Sequence, residues 1–239
     1  MEHLNVDFGE VRRATDLLAQ AESMMQLGAG LEAATAAVGF SDHLALEMSG
    51  VQPQLTNALH NLDGVDLASV VQSDLAARML AAPISAPMGD ELGVERFRSG
   101  VAASALNGSR ACLLFLGRPA PLPDNGSLVE LLGATSILVS YLLDALVRLG
   151  RQSCPLSERE LACMCMATNG LSAKETARRL GISHRTVEDY LANCRSRLNA
   201  TTTLSAALHA LRKGWLSWAD IEAAEVSSVS LRLPRSKEC

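Results

Sequence analysis

Aromatic side chains are scarce in this chain of 239 residues: Phe8, Phe40, Phe97, Phe115, Tyr141, Tyr190, Trp215 and Trp218 are all it has. The core must therefore be filled by Leu, Val, Ala and Met. The six cysteines, Cys112, Cys154, Cys163, Cys165, Cys194 and Cys239, form no CxxC pair. Cys163 and Cys165 stand two apart on an expected helix and so point to different sides, which favours buried thiols of a reducing compartment over a metal site. The histidines His3, His43, His60, His184 and His209 show no metal-ligand spacing. Gly28-Ala29-Gly30 lacks a third glycine and follows an expected helix, so it is no dinucleotide fingerprint. The expectation is a protein that is not an enzyme and holds no cofactor. Long apolar runs are also missing. The N-terminus MEHLNVDFGEVRR carries charge where a signal peptide needs an apolar stretch, and Asp144 interrupts residues 133–147 before they reach a bilayer's span. A cytoplasmic protein without a membrane partner is expected.

Lysine is absent from residues 1–150, which hold 8 arginines against 17 acidic residues, a net charge of −9. Residues 151–239 hold 10 arginines, 3 lysines and 9 acidic residues, a net charge of +4. The length suits two domains of ordinary size. The charge split implies that only the second of them meets a polyanion.

Spacing predicts a helix over residues 7–27, ended by Gly28 and Gly30, and a short helix over 31–38. Leu44, Leu46 and Met48 alternate as in a strand. Residues 66–80 read as helical, and the prolines between 83 and 87 as a loop. Asn107-Gly108 between two apolar runs predicts a hairpin, and a long apolar helix follows Asp124-Asn125-Gly126-Ser127 to about Gly150. This order predicts an α+β domain over residues 1–150, an α-β-α sandwich with an antiparallel sheet.

A linker is expected over 151–156, an all-α four-helix domain over 157–216, and a fraying tail over 217–239. Ser157-Glu158-Arg159-Glu160 and Ser172-Ala173-Lys174-Glu175 are two capping boxes. Gly170 stops the first helix, Gly181 makes a turn after the second, and Ser183 caps a third helix over about 183–198. A fourth helix is expected over about 203–213. Two capped helices across a glycine turn are helix-turn-helix geometry.

The run PLSERELACMCMATNGLSAKETARRLGISHRTVEDYLANCRSRLNATTTLSAALHALRKGWL resembles the DNA-binding domain of the LuxR family. Leu156, Glu160, Gly170, Ser172, Lys174, Glu175, Ala177, Leu180 to Ser183, Thr186, Val187, Leu191, Leu198, Gly214 and Leu216 carry the likeness. The resemblance implies a transcription regulator whose third helix lies in the major groove. Glu188, Asp189 and Ala192 would face base edges. Lys174, Arg185, Thr186 and Arg197 would contact phosphates, and Ser183, His184 and Arg195 complete the expected surface. Many relatives carry a base or a neutral residue where Glu188 and Asp189 stand. Each acid either accepts from a cytosine amino group or repels phosphate.

The LuxR resemblance also frames the first half. A phosphorylated receiver would need an early acidic pair and a late lysine, and neither is present. The element order and Arg96-Phe97-Arg98-Ser99-Gly100-Val101 resemble the autoinducer-binding domain of quorum-sensing members. That domain holds an acyl-homoserine lactone with two Trp, a Tyr and an Asp. This half has no Trp, its one Tyr is Tyr141, and Asp63 and Asp66 are both candidates for the Asp. The resemblance therefore implies three alternatives: an orphan regulator of the VisN/VisR kind, an antiactivator that pairs with another LuxR-type regulator, or a lactone receptor. Double-stranded DNA, a homodimeric or heterodimeric LuxR-type partner and RNA polymerase are the implied partners, with a small-molecule ligand possible in the first domain.

Overall fold

Strand β1 (Asp42–Ser49) is buried along its whole length, so it must feed two cores at once. Leu44, Leu46 and Met48 enter one apolar cluster, and Ala45 enters another on the opposite face. The same period of two runs through β5 (Arg110–Gly117). Leu113 and Phe115 join the first cluster, while Cys112, Leu114 and Leu116 join the second. With β2 (Gln54–His60), β3 (Ser85–Met88) and β4 (Gly100–Asn107) these strands form one antiparallel sheet in the order β2-β1-β5-β4-β3.

The structure, a computed structural model, describes residues 6–49, 53–108, 110–122, 125–216, 220 and 221. It divides into two compact units, Met1–Ser153 and Cys154–Cys239. In the first unit, helices α1 (Phe8–Gln20), α2 (Met24–Ala37) and α5 (Asn125–Gln152) cover one sheet face. Helices α3 (Leu67–Val71) and α4 (Asp74–Ala81), with a single 3₁₀ turn at Glu95–Phe97, cover the other. The unit is the α-β-α sandwich that the sequence predicts. By length and composition α5 is apolar enough to cross a membrane. Here Leu131, Ala134, Leu138 and Leu142 lie against the sheet and its companion helices.

Several elements differ from the sequence reading. Residues 7–27 are two helices. Ser23 caps α2 by accepting from Gln26 N at 3.3 Å, and the Gln26 side chain accepts from Glu22 N at 2.7 Å, a reciprocal cap that restarts the helix. Gly28 and Gly30 then sit inside α2 and end nothing. A Cβ on Gly30 would meet Leu18 Cδ2 at 3.2 Å, so this glycine serves the close approach of α1 and α2. Residues 66–80 also break in two, because Ser73 caps α4 through Ala76 N at 3.1 Å. The proline stretch contains β3. Pro87 is tolerated because β3 is an edge strand paired only with β4. The hairpin pairs Asn107 with Arg110, so Gly108 (φ +62°) begins the loop. Arg151 and Gln152 belong to α5. The expected tail, with Trp218 and Cys239, lies outside the described residues except for Asp220 and Ile221.

A charged pair is buried between the sheet and α5. Glu47 on β1 and Arg110 on β5 form an ion pair, with their side chains 1% and 7% exposed. Asn57 on β2 donates to the same carboxylate. Arg110 also donates to the Leu146 carbonyl at 3.2 Å and the Val147 carbonyl at 3.4 Å near the end of α5. Burial, with Arg151 nearby, lowers the Arg110 pKa to about 10, so it stays charged at neutral pH. Arg110→Ala should lower the stability of the first unit by about 3–5 kcal/mol, because it strands a buried carboxylate. Glu47→Leu combined with Arg110→Met should recover most of that loss in denaturant titrations.

His43 is a second buried polar group on β1. Burial holds its imidazole below the usual pKa, opposed by the charge of Glu32. The unfolded chain then takes up the proton first, so stability should fall as pH drops below about 6.5. His43→Leu should remove that part of the acid dependence, measured as the unfolding midpoint between pH 7 and pH 5.

Candidate nucleic-acid interface

Each helix of the second unit starts on a side chain that satisfies its free N–H groups. The helices are α6 (Glu158–Thr168), α7 (Ala173–Leu180), α8 (His184–Arg197) and α9 (Thr203–Arg212). Ser157 Oγ accepts from Glu160 N at 3.3 Å while Glu160 Oε2 accepts from Ser157 N at 2.7 Å. Ser172 and Glu175 repeat this at 3.3 and 2.8 Å, and the Ser172 hydrogen bonds hold the Glu175 carboxyl below its ordinary pKa. Ser183 caps α8 by accepting from Thr186 N at 3.0 Å. Between α7 and α8, Gly181 takes the left-handed conformation, φ +66°, where a side chain would be strained. Ile182 N closes the turn on the Ala177 carbonyl at 3.1 Å.

This turn sets which side of α8 faces outward. Val187, Cys194 and Leu198 are buried, with Leu180, Ile182 and Leu191 packed against them. His184, Arg185, Glu188, Asp189, Ala192, Asn193, Ser196 and Arg197 are exposed. At 100° per residue these positions form a single face. Asn193 belongs to that face, and Arg178 and Arg179 are exposed on the last turn of α7. The sequence reading missed all three. The signal was available: Asn193 lies four residues beyond Asp189, and the two arginines follow Lys174 by four and five.

The charged groups on this face are already engaged with one another. His184 Nδ1 lies 3.6 Å from Glu188 Oε2, and Arg185 Nε lies 3.4 Å from Asp189 Oδ1. Both are exposed i,i+4 contacts; the Arg185–Asp189 ion pair is worth about 0.3–0.5 kcal/mol, and His184 with Glu188 is an ion pair only when the imidazole is protonated. Arg197, expected to meet phosphate, is tied into its own domain. Its guanidinium donates to the Pro155 carbonyl at 2.8 Å and to the buried Glu160 Oε2 at 3.3 Å. Arg195, half-buried, donates to Thr203 Oγ1 at 3.1 Å. Lys174 is exposed in the first turn of α7.

Cys163 packs with Ala177 and Val187, whereas Cys165 packs in the cluster with Leu156 and Leu211. Burial pushes the Cys163 thiol up to about 11 and the Cys165 and Cys194 thiols up to about 12. None is a thiolate nucleophile at neutral pH. Among the described residues no cluster of His, Cys, Asp and Glu is arranged to hold a metal.

A capped helix, a left-handed glycine turn and a second capped helix with an outward polar face define a helix-turn-helix DNA-binding domain. Residues 154–210 match the family described as bacterial regulatory proteins, luxR family, and the domain belongs to that family. The transcriptional activator protein RaiR of Rhizobium etli is 50% identical over 48 residues. That match spans 20% of this chain and 20% of RaiR. Escherichia coli SdiA has the same fold at 20% identity, with a TM-score of 0.59 over 87% of this chain and 98% of SdiA. SdiA in complex with octanoyl-rac-glycerol gives 0.57, at 20% identity over 86% of this chain and 95% of that one. CepR2 of Burkholderia cenocepacia, an N-acylhomoserine-lactone-dependent LuxR-family factor, gives 0.50 at 17% identity, over 59% of this chain and 99% of CepR2.

Removing a cap or the Arg197 tie should act on stability. Ser172→Ala should cost about 1 kcal/mol. Arg197→Ala should lower the thermal midpoint of the second unit by leaving the buried Glu160 short of a donor. Arg185→Ala should stay within about 0.5 kcal/mol of the parent. Differential scanning calorimetry of the three variants checks this.

Proposed function

We propose that the protein is a DNA-binding transcription regulator that reads a site in the major groove with α8. The observation that carries this reading is the exposed face of α8, presented by the Gly181 turn within a luxR-family domain. Glu188, Asp189, Ala192 and Asn193 face base edges. Lys174, Arg178, Arg185 and Thr186 meet phosphates, with Ser183 and His184 beside them at the start of α8. Arg197, at the edge of the exposed face, and the half-buried Arg195 tie the end of α8 to the rest of the domain.

The active species is a dimer, a homodimer or one formed with another LuxR-type regulator. The apolar positions of α9 at helical spacing, Leu204, Ala207, Leu208 and Leu211, are split by burial. Ala207 and Leu211 pack inward, whereas Leu204 and Leu208 are 59% and 45% exposed. On α5, Val129, Ile137 and Tyr141 are exposed at intervals of eight and four residues, so both units carry an apolar ridge suited to a second copy. RNA polymerase is the further partner in a cytoplasmic protein. A lactone-receptor reading draws on the fold shared with SdiA and CepR2. Against it stands the cluster between the sheet and α4, where Leu46, Met48, Met79, Leu113, Phe97 and Phe115 supply neither Trp nor Tyr.

The acids on α8 favour one second reading, an antiactivator that pairs with a true DNA-binding relative. Their pairing with His184 and Arg185 leaves the start of α8 with little free positive charge. Selection of bound sequences from random duplex DNA, followed by salt-dependent gel shifts, separates the two readings. A regulator enriches one sequence and loses affinity steeply with salt, and an antiactivator enriches none.

For the regulator, Arg185→Ala should weaken binding to all sequences and lower the salt slope by about one. Glu188→Ala should cost about 1–3 kcal/mol at one base pair and relax specificity there. Asp189→Ala should tighten binding to every sequence by freeing Arg185, and that gain should vanish when Arg185 is also replaced. A double-mutant cycle measures the coupling.

A further inference from the structure

The segment Arg96-Phe97-Arg98-Ser99, prominent in the sequence, takes no part in the DNA-binding face. With Glu95 it forms one wall of a cleft of about 680 Å³ at one end of the sheet, facing Ser41, Asp42, Asn61 and Arg118, so two carboxylates, Glu95 and the paired Asp42, also line it. That volume suits a small metabolite.

The walls of this cleft are fixed before anything enters. Asp42, its side chain 7% exposed, accepts from Arg96 Nη1 at 2.7 Å on one oxygen and from Ser41 Oγ at 2.6 Å on the other. The Asn61 amide is locked at both ends, accepting from His43 N at 3.0 Å and donating to the Ser41 carbonyl at 2.8 Å. The Arg96–Phe97 backbone sits hard against β5. A Cβ on Gly117 would fall 2.2 Å from the Arg96 carbonyl oxygen, so only glycine allows that approach. Phe97 is fully buried and anchors the segment. Arg118 is tied at its backbone, its N–H donating to the Ser99 carbonyl at 3.0 Å.

The donors are less well matched than the walls. Arg96 is committed to Asp42. Arg98 forms an exposed ion pair with Asp90 at 3.6 Å, too long for a good hydrogen bond. Arg118 Nη1 is buried with no hydrogen-bond partner among the described residues, and a buried unpaired donor on a charged group is costly. Arg118 thus brings an unmet donor to the cleft lining, beside an Arg98 whose exposed ion pair can exchange partners, on a preformed polar frame. Guanidinium forks match planar or tetrahedral oxyanions in geometry and charge.

We propose that this cleft is a binding site for a small organic oxyanion, a carboxylate or a phosphate, held by Arg118 and Arg98 and lined by Ser99 and Asn61. The site lies wholly within the first unit and does not depend on the DNA-binding reading.

The test is calorimetric titration of the full-length protein with succinate and, separately, with inorganic phosphate, against sodium chloride at equal ionic strength. Saturable binding of one anion is expected, and which of the two binds tells carboxylate from phosphate. Arg118→Ala should weaken it at least tenfold. Arg98→Ala, a change at an exposed side chain that leaves the fold intact, should weaken it several-fold. It keeps the test decisive if the Arg118 variant does not fold. Replacing Arg12 and Arg13 on α1, remote from the cleft in the sequence and on another element, should change nothing. No binding of either anion at tens of millimolar overturns the proposal. So does equal affinity in the parent and the Arg98 variant, or an equal loss in the α1 variant.

Discussion

The ion pair between Glu47 and Arg110 is the contact around which the first unit is arranged. It joins two neighbouring strands, takes a donor from a third through Asn57, and ends on two carbonyls one turn before the end of α5. The sheet accommodates it locally: the β1–β2 register shifts between Glu47 and Met48, so the strand bends where the carboxylate turns inward. Gly150 accommodates it from the other side, since a Cβ there would meet both Arg110 terminal nitrogens at 3.0 Å. A positive group near the C-terminal end of a helix is favoured by the helix dipole as well as by hydrogen bonding. A core of Leu, Ala and Val packs well but is poorly directional. This pair supplies direction, because a slip of one residue in β1 or β5 would turn one charge onto the opposite face and leave its partner unpaired.

Much of this was legible in the sequence, for identifiable reasons. Strands buried on both faces are rich in apolar residues, and the hairpin between β4 and β5 announced itself through its turn residues. Capping boxes were legible because their chemistry is local: a Ser and a Glu three residues apart need nothing from the rest of the fold. The breaks at Ser23 and Ser73 rest on the same chemistry. They were hidden by apolar residues that continue in helical phase on either side. β2 was missed because its residues are largely exposed, and nothing in QLTNALH alternates clearly. β3 was missed because proline reads as a loop until an edge position removes the need for its N–H. Arg197 shows where local reading ends. Its place on the outer face of α8 was predictable, but its tie to Glu160 spans 37 residues and depends on how α6 crosses α8.

The charge split along the chain reappears at smaller scale on α8. The second half is basic overall, yet His184 and Arg185 each face an acid one turn away. Such exposed pairs are weak enough to exchange partners when phosphate approaches. Their effect is to lower the affinity that comes from charge alone, the part of DNA binding that carries no sequence information. Under the proposed reading, a helix built this way gains relatively more from base contacts and from a second copy than from the phosphate field.

The second unit meets a different constraint. It is small, and α6 runs through its middle. Cys163, Met164, Cys165 and Met166 are four consecutive residues, all buried, so α6 has neighbours on every side and cannot follow an amphipathic pattern. Successive residues divide between two clusters, one toward α7 and the start of α8, the other toward α9 and the end of α8. Cysteine and methionine suit that position, being apolar and either slim or adaptable in shape. Their burial gives only a modest core, and the side-chain caps add the rest. Glu160 shows how the two are linked. It is nearly fully buried, yet it caps α6 through Ser157 and receives Arg197 from the end of α8. One carboxylate thereby sets where α6 begins and holds the end of α8 against it, which fixes the direction in which the exposed face of α8 points.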